Sequence, residues 1–184
     1  MLDPNFEAEA ARRPHVGLCP VGVPDVPTPP PGPGLGAGYR TLQGDADALL
    51  RALNSGEVQG LLILAPGRTD GAFQLQLRAE NRTPEGQRLQ PVGPSVARAT
   101  VPVPELVRAL LDRQEPAEVV SAVAPDGAGA LFYGVLAGLD DHRDTPPVGL
   151  LRVPADASPE RVAAAAAACA QAMGRRLGPL PRQA

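Results

Sequence analysis

The chain has 184 residues, enough for one domain that buries roughly two thirds of the surface its unfolded form exposes. A formal net charge of −3 and an aromatic fraction of 3% supply neither a basic field nor stacking surfaces, so no nucleic-acid partner is expected. No apolar run reaches the roughly 20 residues of a membrane span, and the first residues lack the basic-then-apolar order of a secretory signal, which makes a cytoplasmic protein with no membrane partner the expectation.

Cys19 and Cys169 stand far apart, without the spacing of a zinc site or the density of a disulfide scaffold, and with only two histidines no metal and no cofactor are expected. Every cation is Arg and Ile63 is the only isoleucine, a bias that fits GC-rich codon usage. The 43% hydrophobic fraction still supports a globular fold.

Residues 1–14 are polar and mixed in charge, and read as a disordered tail. His15 to Cys19 reads as a buried strand. Residues 25–38, DVPTPPPGPGLGAG, cannot continue a helix or a central strand, so residues 23–38 are expected to form a Pro/Gly-rich surface loop. That tract precedes a strand rather than a helix, which excludes a dinucleotide-binding glycine loop. Asp45 to Leu53 predicts a short helix with Asp45 as N-cap and Gly56 beyond its end, followed by a strand over Val58–Leu64.

Phe73, Leu75 and Leu77 alternate with Gln74, Gln76 and Arg78, which predicts a strand with one apolar and one polar face. Pro104 suits the first turn of a helix reaching about Arg113, after which AEVVSAV reads as strand, GALFYGVLAGL as helix and VGLLRV as strand. Ser158 and Pro159 open a last helix that stops at Gly174 or Gly178 and contains Cys169 facing the sheet. Strands alternating with helices predict an α/β fold, a three-layer α/β/α sandwich with a mostly parallel central sheet. One domain over 15–178 and a tail over 179–184 complete the expected organisation.

Several segments, in order, resemble the pyrrolidone-carboxylate (pyroglutamyl) peptidase family. GLCPVG at 17–22 is similar to its opening GFEPFGG, RAEN at 78–81 to its RVAIN-like stretch, and GPSVARATVP at 93–102 to its GP..Y.STLP segment. LFYG at 131–134 matches the run after the family's nucleophile, and GLLRVP at 149–154 resembles its GFIHVP strand. Between Gly22 and Tyr39 the correspondence fails, so the family's first helix is expected to be missing.

The resemblance implies a pyroglutamyl-peptidase-like fold and a chemistry in which Cys attacks an amide carbonyl, His serves as general acid and base, and an acidic residue orients the His. Where the family reads CNHLFYG this chain reads AGALFYG, which puts Ala128 at the nucleophile position. The His position is Arg152, whose guanidinium offers only donors, and the acidic position is Gln76. All three triad positions are therefore substituted, and losing a nucleophile alone can cost on the order of 10⁶ in turnover. Leu18 and Val21 stand for the two phenylalanines that flank the substrate ring. Pro66 and Asp70 stand for the Gln and Arg of the loop that contacts the lactam.

A pseudo-peptidase with a binding or scaffold role is the first expectation. It implies an unknown small ligand or protein partner, or a homo-oligomer (dimer or tetramer) as is common in that family. The rival is an active cysteine peptidase removing N-terminal pyroglutamate, or another hydrolase with a relocated site. Cys19 is the replacement thiol, or Ser121 the nucleophile with His142 and Asp140 or Asp141, although a packed thiol and a solvated LDDHRDTPP loop suit these residues better. His15 is expected only to begin its strand. Gln76, Arg152 and a nearby Asp are expected either to pair within the structure or to form a pocket for an anion.

Overall fold

A computed structural model of the chain describes residues 15–23, 38–67, 71–121, 125–139 and 145–177. The expected tails, nearly all of the proline tract and its missing helix, Asp70, Asp140, Asp141 and His142 lie outside the described residues. Strands β1 (His15–Pro20), β2 (Gly38–Thr41), β3 (Gly60–Pro66), β4 (Phe73–Gln76), β7 (Ala117–Val120) and β8 (Val148–Val153) form one sheet in the order β2-β1-β3-β8-β4-β7. Every neighbouring pair is parallel except β4 against β8. A second, antiparallel sheet pairs β5 (Arg78–Glu80) with β6 (Val96–Arg98).

Among the described residues four helices cover the two faces: α1 (Ala46–Asn54), α2 (Val103–Leu111), α3 (Gly127–Gly138) and α4 (Pro159–Gly174). Helices α1 and α3 pack together on one face and α2 and α4 on the other, which gives the three-layer sandwich. The starts follow from side chains: the Asp45 carboxylate accepts from the Ala48 amide, and the Ser158 hydroxyl from that of Arg161. At the end of α1, Gly56 takes a φ of +74°, the left-handed turn that glycine adopts without strain.

The core is split by the sheet. Leu62, Leu64, Leu151 and Val153 point toward α2 and α4, while Leu61, Ile63, Val148 and Leu150 point toward α1 and α3. All six residues of β8 and the first six of β3 are buried on both faces, as central parallel strands require. Each fully buried Leu stabilises the fold by about 1.5–3 kcal/mol.

Three expectations are corrected. The strand expected over Val58–Leu64 runs instead from Gly60 to Pro66, because the Val58 amide still donates back to the Ala52 carbonyl of α1 at 3.2 Å. The alternation from Phe73 to Arg78 is not one strand. The Leu77 amide donates to Val120 O at 2.9 Å while its carbonyl accepts from Ala99 at 2.8 Å, so the chain leaves the large sheet there and Leu77 is 37% exposed. The side expected to be polar does hold Gln74 and Gln76, but it faces inward and leaves them 7% and 3% exposed.

Candidate functional site

Arg152 is the penultimate residue of β8, and strand alternation turns it with Val148 and Leu150 toward α1 and α3. It is 2% exposed and the largest fully buried side chain. A guanidinium has five N–H donors in a fixed fork, and here each has an acceptor. Nε and one Nη2 proton reach Gln76 Oε1 at 3.2 and 3.1 Å. The other Nη2 proton reaches Asp126 Oδ1 at 3.1 Å. Nη1 donates to Asp126 Oδ2 at 2.5 Å and to the Pro66 carbonyl at 3.5 Å.

Each partner comes from a different element. Gln76 ends β4, and its amide nitrogen holds the Arg78 carbonyl at 2.8 Å, which orients Oε1 toward the guanidinium. Asp126 is the N-cap of α3: Oδ1 accepts from the Gly129 amide at 2.7 Å as well as from Arg152. One carboxylate thus satisfies an orphan helix N–H, sits at the positive end of the helix dipole and neutralises a buried cation. The side chain of Asp126 remains 44% exposed. Gln74, directly opposite Arg152 in register, extends the polar row to β7 by donating to Glu118 Oε2 at 3.2 Å.

The structure brings Gln76, Arg152 and the first turn of α3 together, as the order of motifs implied. Ala128 is the second residue of that helix and is 4% exposed. A Cβ built on Gly129 would meet Asp126 Oδ1 at 3.2 Å, a tight contact, and Arg152 Nη2 at an ordinary 3.9 Å, so glycine leaves room for the capping carboxylate. Pro66 meets Arg152 through its backbone carbonyl, its side chain being exposed. Val21 packs against the apolar core on the α1 and α3 side of the sheet, whereas Leu18 is fully buried on the opposite face, under α2 and α4. Asp126 was not singled out in the sequence. The signal was there: Asp126-Gly127 before an apolar helical run is an N-cap pattern.

Of the alternative groups, burial pushes the Cys19 thiol up and the Cys169 thiol up to about 12, both away from the thiolate a nucleophile requires. Both are buried and unpaired with each other. Ser121 is exposed just after β7. His15 lies at the start of β1, where burial and then the Arg40 charge lower its pKa. Among the described residues no group of three His, Cys, Asp or Glu is placed to hold a metal.

No family model matches the chain, and no curated protein does. Solved structures do match. Pyroglutamyl peptidase I from Bacillus amyloliquefaciens superposes with a TM-score of 0.70 at 15% identity, over 88% of this chain and 95% of that one. Pyrrolidone carboxyl peptidase from Thermus thermophilus gives 0.62 at 19% identity, over 85% and 98%. A mutant of the enzyme from Pyrococcus furiosus gives 0.67 at 16%, over 89% and 99%. The chain therefore has the pyroglutamyl-peptidase fold along nearly its whole described length. No helix of the described residues is long and apolar enough to cross a membrane.

Proposed function

We propose that this protein is a catalytically inactive member of the pyroglutamyl-peptidase fold, a pseudo-peptidase with a binding or scaffold role. The carrying observation is the state of Arg152. It stands at the position that the resemblance gives to the general base, is buried, and has all five donors engaged by Gln76, Asp126 and Pro66. A saturated guanidinium can neither take a proton nor turn a fork toward an anionic ligand, which favours internal pairing over the anion pocket. Ala128, at the nucleophile position, offers a methyl group to a carbonyl.

The rival, a peptidase or other hydrolase with a relocated nucleophile, finds no support at either cysteine, since both thiols are buried and pushed up. A cytoplasmic, homo-oligomeric protein remains part of the proposal. The deciding experiment is hydrolysis of a fluorogenic pyroglutamyl amide by the purified full chain. Turnover at background is expected; turnover lost only in Cys19→Ala or Ser121→Ala would overturn the proposal in favour of a relocated site. Light scattering tests the oligomer, with a monomer refuting it.

A further inference from the structure

The small β5–β6 sheet turns Ala79 and Ala97, opposite each other and 1% and 8% exposed, onto the core beneath α3. The next opposite pair is Arg78 and Arg98, both exposed on the outer face. Directly opposite side chains in an antiparallel pair have Cβ atoms about 4.5–5.5 Å apart, and like charges there destabilise the sheet. Some exposed arginines have carboxylate partners, as Arg40 has Glu57 and Arg176 has Glu105, while Arg51, Arg82 and Arg113 stand alone among the described residues and apart from one another; Arg78 and Arg98 differ in being directly opposite in register. Among the described residues no carboxylate lies within ion-pair distance of Arg78 or Arg98, and neither guanidinium makes a hydrogen bond. Glu80, the one acidic residue on this face of the pair of strands, stands opposite Val96 and engages neither.

The backbone beneath the two cations is fixed. The Arg78 amide donates to Ser121 O at 3.1 Å, and its carbonyl accepts from the buried Gln76 amide at 2.8 Å. Beside Arg98, Ala99 donates to Leu77 O at 2.8 Å. Two arginines, whose guanidinium groups offer only donors, thus stand directly opposite each other on a fixed backbone, with Glu80 the one carboxylate on their face of the two strands and in ion-pair contact with neither.

We propose that Arg78 and Arg98 form a binding site for the phosphate group of a small soluble molecule. A dianion neutralises both charges and its several oxygens accept from both forks, whereas a carboxylate neutralises one. The chain's net charge of −3 and the smallness of the patch argue against an anionic membrane as the source. The site is independent of whether the chain is an active hydrolase.

The test is thermal unfolding of the full chain in inorganic phosphate, acetate or chloride at equal ionic strength, with the arginine Nε–H resonances followed by NMR. Phosphate at ten times its dissociation constant is expected to raise the melting temperature by roughly 3–5 °C over chloride and to shift two Nε–H signals. Arg78→Gln and Arg98→Gln should each abolish that rise. Without phosphate, Arg98→Glu is expected to raise the melting temperature at low salt by converting repulsion into attraction. An equal phosphate response in both Gln variants, a response to acetate but not phosphate, or a fall with Arg98→Glu would overturn the site. Cosedimentation with phosphatidic-acid vesicles in the absence of any inorganic-phosphate response would overturn the soluble source.

Discussion

Replacing Asp126 by Ala removes three things at once. The Gly129 amide loses its cap, worth about 1 kcal/mol. Arg152 loses two bonds, and a cation that is 2% exposed loses the carboxylate that neutralises it. Breaking a buried pair from one side costs about 3–5 kcal/mol, and the 44% exposure of the Asp126 side chain lets water replace part of it, so the lower end applies. The expected total is about 4 kcal/mol, or roughly 10 °C in melting temperature for a domain of this size. Asp126→Asn keeps an equivalent cap and should cost about 1 kcal/mol less. Arg152→Met reverses the asymmetry: the half-exposed carboxylate rehydrates and the main loss is an unpaired Gln76 Oε1, about 2 kcal/mol. Urea unfolding followed by far-ultraviolet circular dichroism reads all three, since the chain has no Trp. If Arg152→Met costs more than Asp126→Ala, the account of the cluster is wrong.

The thiols give a second test. With Cys169 pushed up to about 12 and Cys19 raised by burial, iodoacetamide at pH 8 should leave the native protein unmodified and alkylate both in urea; native labelling at the rate of a free thiol would contradict the burial. His15 supplies a pH dependence. Its folded pKa is lowered, so the unfolded chain binds the proton first, and stability should fall as pH drops below about 6.5 until the folded imidazole itself titrates. Comparing wild type with His15→Gln between pH 7 and 5 isolates this slope, and parallel curves would remove His15 as its source.

Periodicity exposed most of the sandwich because the decisive segments are strongly patterned. VGLLRV is nearly continuous apolar chain, and Ser158-Pro159 before an alanine run leaves little choice but a helix start. The alternation through Leu77 misled because period two reports only that successive residues face opposite ways. It cannot report that a backbone bond to Val120 and another from Ala99 carry the chain out of one sheet into another. The meeting of Gln76 and Arg152 was legible only through flanking motifs that resemble a family, since 76 residues separate them. Asp126 stayed hidden because capping predicts a helix end and says nothing of which buried cation lies beneath it. Leu18 shows the converse: an aligned pocket position can face the other side of the sheet.

The place of β8 between β3 and β4 also orders events in time. In the folded protein β3 and β4 flank β8, and the Gly67 amide just after β3 donates to Val153 O at 2.6 Å, a bond that also waits for β8. Until residues 148–153 are synthesised, β3 and β4 each present an open edge toward a gap, and β3 carries six buried residues on it. An emerging chain therefore holds its most adhesive strand unpaired on one side until more than three quarters of the sequence exists, a long-range closure that slows folding and favours intermolecular pairing meanwhile.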